Sequence, residues 1–371
     1  MAKIDPSTLA EPHALVRRAV YLQRHTALAL PYLTPHKVAN LILNEIELRL
    51  ARTRPHSVPP YIKVEATPLC HLSCGACWHH SKAYKKTLNN KMHLTVERIA
   101  RIVDPIVREL VGVSLSYSGE PLLNRELSQI VRYLHERRIC TGFPTNLSVP
   151  MTPSQAEAFV TAGLDQMLIS LDGACEETYL KYRIGGSFEL VLQNVSKMAE
   201  AKRRLGAKRP ILVWKMVVFP HNSQEIPIVR RTWRSLGFDA VEFVLDHQSA
   251  ESNAIKAQAN SEMVAGRKPC FWAWNTTVIG WDGGVQPCCQ QVNEIQLGNA
   301  ADQDIRTIWR AEPYARLRAG FARDRYGEDM HPVCRRCVGL PAKAQQSNVG
   351  GDVDYAVLVH EPESEKRPQS A

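Results

Sequence analysis

Ten cysteines in a chain of 371 residues are the side chains most able to do chemistry, and their spacing is uneven. Cys70, Cys74 and Cys77 fall within eight residues as C-x3-C-x2-C. Cys270, Cys288, Cys289, Cys334 and Cys337 all follow residue 265, while Cys140 and Cys175 stand alone. In a reducing compartment such spacing reads as metal ligation, not as a disulfide framework. Three thiolates on one loop suit a cubane iron–sulfur cluster with one iron left open for an exchangeable ligand. They also suit a zinc knuckle completed by His79 or His80. The set Cys270, Cys288, Cys334 and Cys337 can saturate a second cluster or a zinc ribbon with four thiolate ligands.

The surrounding elements must present these groups. From Tyr61, strand-like runs at 61–66, 112–117, 140–144, 166–171, 211–219 and 240–244 alternate with helical patterns. Those patterns are Val96/Ile99/Val103/Ile106, Leu127/Ile130/Val131/Leu134, Val191/Val195/Met198 and Ile228 to Leu236. Six βα units fall short of the eight of a closed TIM barrel, so the reading is α/β, a partial (β/α)6 barrel with its chemistry at the C-terminal strand ends. Residues 1–58 form a helical N-terminal extension, with apolar positions Leu15, Val16, Ala19 and Leu22, then Val38, Leu41, Ile42 and Ile46. Pro31 and Pro35 divide its two helices, and a Pro-rich linker over 53–60 leads into the barrel, 59–250. A small cysteine-rich domain spans 265–341, with a hairpin around Asp282-Gly283-Gly284 and a short helix near 303–318. A loose tail covers 342–371.

The first cysteine loop and its strand order resemble the radical SAM superfamily. In that family three cysteines hold a [4Fe–4S] cluster whose open iron binds the amine and carboxylate of S-adenosylmethionine. Ser118-Gly119-Glu120-Pro121 is similar to the family's GGEP motif, which implies contact with the SAM amino group. Ser170-Leu171-Asp172-Gly173 is similar to its SLDG element beside the ribose, with Asn146 a second ribose candidate. Arg183 matches an arginine that pairs with the SAM carboxylate. Two positions depart from the pattern: Ala76 stands where an aromatic residue usually precedes the third cysteine, and Ser118 replaces the first glycine.

The C-terminal cysteines, with TrpAspGlyGlyValGlnProCysCys and ProValCysArgArgCys, resemble the SPASM/twitch extension of the same superfamily. Five cysteines after residue 265 fit its one-cluster form. The resemblance implies one auxiliary [4Fe–4S] cluster on Cys270, Cys288, Cys334 and Cys337. Cys289 is either a packing residue or a hydrogen-atom donor to a substrate radical.

The implied activity is reductive cleavage of SAM to a 5′-deoxyadenosyl radical. That radical would take a hydrogen atom from a sugar, nucleoside or natural-product intermediate, ending in oxidation or epimerisation. The alternatives are a peptide- or protein-modifying maturase and a non-catalytic zinc scaffold. An electron donor such as flavodoxin or ferredoxin is implied as partner. The net charge of +9 favours acidic partners. The paired arginines are scattered and not gathered into a stripe with aromatics, which argues against nucleic acid. With no apolar run long enough to span a bilayer and no secretory signal pattern, the expected location is the cytoplasm.

Overall fold

Six parallel strands carry the first part of the fold: β1 (Tyr61–Val64), β2 (Gly112–Ser114), β3 (Cys140–Thr145), β4 (Gln166–Ser170), β5 (Ile211–Val218) and β6 (Ala240–Leu245). They pair in sequential order, with Ile62 opposite Val113, Ser114 opposite Gly142, Thr145 opposite Ile169 and Ser170 opposite Lys215. The computed structural model describes residues 27–245, 261–289, 295–324 and 326–338. The first helix expected from the sequence, around Leu15 to Leu22, and the tail from 342 lie outside these residues.

Alternation along each strand sorts its side chains between two sides of the sheet. Ile62, Val64, Phe143 and Ile169 are buried against the covering helices, which supply Ile99 and Ile102 of α2 (Val96–Val103), Ile130 and Leu134 of α3 (Leu127–Glu136), Phe159 of α4 (Pro153–Thr161) and Val191 and Val195 of α5 (Phe188–Arg204). Helix α6 (Ile226–Thr232) precedes β6. Helix α4 has no counterpart in the sequence reading, although its start is well signed: Thr152 and Gln155 form a reciprocal capping box and Pro153 takes the first turn.

The hairpin expected around Asp282 is present, with β7 (Thr276–Ile279) antiparallel to β8 (Gly284–Gln286) and β9 (Gly298–Asn299) beyond it. Gly283 turns it at φ 95°, a left-handed conformation that favours glycine. The hairpin does not stand apart: β7 pairs in parallel with β1, Tyr61 opposite Thr276 and Val64 opposite Ile279, so one nine-stranded sheet runs from β6 to β9. Short helices α7 (Phe271–Asn275), α8 (Ile305–Arg310), α9 (Glu312–Ala319) and α10 (Pro332–Cys337) complete this region, the middle two replacing the single helix expected near 303–318.

Helix α1 (Pro35–Arg49) is the expected second N-terminal helix, and its orientation is inverted. An apolar stripe ordinarily faces the core. Here Val38, Ile42 and Ile46 face outward, while Lys37, Asn40, Asn44 and Glu47 are buried. Each of these four side chains has at least one fixed partner, although Asn44 Oδ1 is left without one among the described residues. Lys37 Nζ donates to the Arg138 carbonyl, Asn40 exchanges two 3.0 Å bonds with the Val58 backbone, Asn44 donates to the Trp274 carbonyl at 2.6 Å, and Glu47 accepts the N–H groups of His56 and Ser57 at 2.8 and 2.9 Å. Because a buried polar group without a partner is costly, these bonds decide which face turns in.

Candidate active site at the C-terminal strand ends

The loop after β1 carries Cys70, Cys74 and Cys77, with Cys74 buried and the others partly so. It is held by the loop after β2. Glu120 N donates to Leu69 O at 2.7 Å, and Gly119 lies so near that a Cβ on it would stand 2.2 Å from Thr67 O and 2.5 Å from Leu69 O. Only glycine allows this approach, and the partner it approaches is the cysteine loop's own backbone.

Glu120 is buried and accepts three hydrogen bonds. Its Oε1 accepts from Thr145 Oγ1 at 2.5 Å and Leu122 N at 3.1 Å, and its Oε2 accepts from Asn146 N at 2.7 Å, which ties the ends of β2 and β3 together. Burial pushes its carboxyl above the usual carboxylate range against these donors and Arg183. Asn146 Nδ2 points at Cys70 Sγ, 3.8 Å away. Asp172, fully buried after β4, accepts from Arg183 Nε at 2.6 Å and from Val217 N at 2.6 Å. Arg183 NH1 in turn reaches 3.8 Å from Cys74 Sγ. Burial works against the Arg183 charge, but Asp172 and the Cys74 sulfur outweigh it and hold the guanidinium charged. Ser170, at the end of β4, is half-buried. Glu120, Asn146 and Arg183 therefore surround the cysteine loop, while the Asp172 carboxylate is turned inward onto Arg183.

Two residues here escape a sequence reading. Glu65, one residue past β1 and 5% exposed, accepts from Ser118 Oγ at 2.5 Å and from the Trp281 N–H, and burial raises its pKa. The serine at the first motif position thus has a partner that glycine could not serve. Tyr84 packs edge-on against His79, whose Nδ1 lies 3.6 Å from Cys77 Sγ and whose Nε2 lies 2.7 Å from the Pro68 carbonyl.

The thiol chemistry suits an electron-poor metal group. Burial pushes Cys70 up to about 12, with Glu120 and the other two thiols adding to the rise, and burial also raises Cys74. Clustered, dehydrated thiols favour deprotonation only when a cationic centre binds them. Among the described residues no three His, Cys, Asp or Glu side chains converge on a point for a single ion.

The second sulfur set assembles from three separated segments. Cys270 starts α7 and takes the Trp272 and Ala273 N–H groups on its sulfur; Cys288 follows β8; Cys334 and Cys337 share one face of α10 at i, i+3. Burial raises Cys334 to about 12, and Cys270, Cys288 and Cys337 each add to it, which places those three thiols within electrostatic reach of Cys334. Cys289 does not belong to that group of contacts. It lies near Tyr117, whose hydroxyl donates to Gln286 Oε1 at 3.1 Å. All ten cysteines are free, with Cys140 partly buried at the start of β3 and Cys175 exposed.

Arg318 braces α7, the helix that Cys270 caps, against α8. It is completely buried, donates to the carbonyls of Ala273 and Trp309 at 2.8 and 2.7 Å, and lies 4.2 Å over Trp309 and 4.6 Å over Tyr314. Burial lowers its pKa to about 10. Where the loops after β1 and β2 meet the hairpin lies a cavity of about 470 Å3, lined among others by Glu65, Tyr84, Tyr117, Trp281, Gln286 and Asn299.

Residues 64–226 match the family model of the Radical SAM superfamily, and residues 270–338 match that of the SPASM iron–sulfur cluster-binding domain. The chain is 28% identical over 138 residues to the probable GTP 3′,8-cyclase of Methanococcus maripaludis, covering 37% of this chain and 45% of that one. It is 28% identical over 150 residues to the AdoMet-dependent heme synthase of Methanosarcina barkeri, covering 39% and 40%. The matches therefore span less than half the length of either relative. Among solved structures, Streptococcus suis SuiB bound to S-adenosylmethionine shares the fold with a TM-score of 0.55 at 15% identity, over 71% of this chain and 68% of that one.

Proposed function

Because this chain belongs to the radical SAM superfamily and carries a SPASM domain, with SAM, a SAM-binding [4Fe–4S] cluster and an auxiliary iron–sulfur cluster as its cofactors, we propose that it is an enzyme acting on a small molecule, a sugar, nucleoside or natural-product intermediate. When bound, the cluster and SAM together supply a 5′-deoxyadenosyl radical that removes a hydrogen atom from the substrate. Cys70, Cys74 and Cys77 hold that cluster, and Cys270, Cys288, Cys334 and Cys337 hold the auxiliary one. Glu120 offers its remaining lone pairs to the SAM ammonium, Arg183 faces the carboxylate with the fork edge that Asp172 leaves free, and Asn146 and Ser170 flank the ribose.

The observation that carries the reading is the polar cavity beside Ser118 and the hairpin, whose volume suits a metabolite. Glu65, Tyr84, Tyr117 and Gln286 offer polar groups that would orient a hydroxylated or amine-bearing substrate there. Oxidation follows where the auxiliary cluster accepts the substrate electron. Epimerisation follows where a thiol returns a hydrogen atom, and Cys289, within electrostatic reach of Tyr117 as Cys288 is, is our candidate for that thiol. The two relatives named above are a cyclase and a heme synthase by name, and their similarity covers too little of each chain to carry a reaction over. No helix among the described residues is long and apolar enough to cross a membrane. We place the enzyme in the cytoplasm, with a flavodoxin or ferredoxin as electron donor.

The test is anaerobic incubation of the reconstituted protein with SAM and a reductant, scored for 5′-deoxyadenosine and methionine. Product from wild type and none from the Cys70→Ala variant supports the reading; no product from a wild type with its full iron content sinks it. Carrying the assay into deuterated candidate substrates then identifies the carbon attacked.

A further inference from the structure

The outward face of α1 is an apolar ridge with nothing described against it. Val38, Ile42, Ile46 and Leu50 follow one another at four-residue steps, which makes one straight ridge about 18 Å long. Ile42 is 58% exposed and Leu50 72%, with Leu30 and Leu43 exposed alongside. This display is no accident of loose placement, since the opposite face is locked by the bonds of Lys37, Asn40, Asn44 and Glu47. Those bonds run to Arg138, His56, Ser57, Val58 and Trp274, each just ahead of a strand, so α1 crosses the N-terminal end of the barrel, opposite the cysteine loop.

Around this ridge stands a basic rim. Arg49, Arg52, Arg54, Arg108, Arg138 and Arg323 are all exposed, and all adjoin α1: Arg108 meets His36 at 2.6 Å, Arg323 donates to the Arg49 carbonyl, and Arg138 carries the carbonyl that Lys37 grips. The carboxylates paired with them are Glu45, Glu47 and Glu312, fewer than the arginines. Charge sorts the possible occupants. Residues 1–26 carry Lys3, Arg17, Arg18 and Arg24 against Asp5 and Glu11, the same sign as the rim. A second copy docked by two-fold symmetry would lay arginines on arginines. A surface that is both apolar in depth and anionic at its edge answers ridge and rim together.

We propose that α1 is a peripheral docking helix for an anionic lipid surface. The ridge enters the boundary between headgroups and acyl chains, and Arg108, Arg138 and Arg323, the rim arginines with no carboxylate partner among the described residues, lie against lipid phosphates. The mouth of the barrel then faces away from the bilayer and stays open to substrate.

Flotation of the reconstituted full-length protein tests this, with vesicles of equal parts phosphatidylglycerol and phosphatidylcholine against vesicles of phosphatidylcholine alone. Wild type is expected to float with the anionic vesicles at least about tenfold better than with the neutral ones, and added salt is expected to weaken that binding. The double variant Ile42→Asp/Ile46→Asp is expected to lose flotation while it cleaves SAM and melts as wild type does, because both side chains point away from the fold. Absence of wild-type flotation overturns the proposal, as does flotation that the double variant keeps. A photo-crosslinker at residue 42 gives an independent readout. Adducts with lipid support the proposal. Adducts with residues 1–26, or between isotopically distinct copies, assign the ridge to the chain itself or to a dimer and end it.

Discussion

The two sulfur sites of this chain are built by opposite means. Cys70, Cys74 and Cys77 share one short loop, and the surrounding strand ends lock that loop through Glu120, Asn146 and the Asp172–Arg183 pair. Cys270, Cys288, Cys334 and Cys337 come from three segments that share no loop, and their meeting depends on β7 joining β1 and on Arg318 clamping α7 to α8. The first site is local in sequence and cross-braced by charge. The second draws its cysteines from separate segments, one of which a buried cation braces. Damage to ligands should therefore separate the two sites cleanly, whereas damage to the scaffold should fall first on the second.

The largest expected effect tests that separability. Replacing Cys70, Cys74 and Cys77 with alanine should abolish SAM cleavage, a fall of a thousandfold or more, and lower the iron content from about eight atoms to about four. Iron analysis and the EPR spectrum after reduction measure it. Loss of all iron would mean that the C-terminal cysteines hold no cluster without the first, and the comparison would fail.

Arg318→Leu strikes the other side. The substitution removes a buried cation and leaves the Ala273 and Trp309 carbonyls without donors, a cost of about 3 kcal/mol. Melting should drop accordingly, and the auxiliary cluster should be lost on reconstitution while the SAM-dependent cluster stays. Equal loss of both clusters would show that Arg318 braces the whole sheet.

How far the sequence revealed this contrast follows from the same difference. The six parallel strands and the cysteine loop were legible because hydrophobic alternation and C-x3-C-x2-C are local patterns. The motif positions at the strand ends were legible too, but their partners were not. Glu65 draws its hydrogen bonds from Ser118 and Trp281, 53 and more than 200 residues away, and a lone glutamate after a strand carries no sign of that. Arg318 looks like any arginine on a helix until Trp309 and Tyr314 close over it. The inversion of α1 defeats periodicity outright, since the apolar stripe is real and the face that turns inward is chosen by Asn40, Asn44 and Glu47 meeting a linker backbone. Pairing of β7 with β1 joins segments more than 200 residues apart, and a hairpin signal does not name its neighbour.

Whether the two regions unfold as one body can be read from Lys37. Burial, with Arg138 beside it, lowers its pKa to about 8 from an ordinary 10.5. Since the unfolded chain then holds more protons between those values, stability should rise with pH from about 8 to 10.5, by at most about 3 kcal/mol. Lys37→Met should flatten that rise. If the continuous sheet makes one cooperative unit, every melting transition moves with pH. If the C-terminal region melts alone, only the barrel transition moves, and the comparison sharpens into two folding units.

The smallest expected effect sits where the regions meet. Tyr117 ends the second strand run of the barrel, donates its hydroxyl to Gln286 on β8, and lies within electrostatic reach of Glu65, Tyr84, Cys288 and Cys289. Burial raises its pKa well above that of a free phenol, so its hydroxyl keeps the one hydrogen it donates to the hairpin and its oxygen can accept from whatever fills the cavity. Tyr117→Phe keeps the ring and removes one hydrogen bond, which should cost about 1 kcal/mol of stability and leave both clusters in place. A ligand in the cavity would lose a contact as well. For a substrate bound there, KM should rise several-fold while SAM cleavage without substrate stays unchanged. A variant that melts about 1 kcal/mol lower with unaltered KM would make Tyr117 a strut between the two regions and move the substrate elsewhere on the barrel mouth.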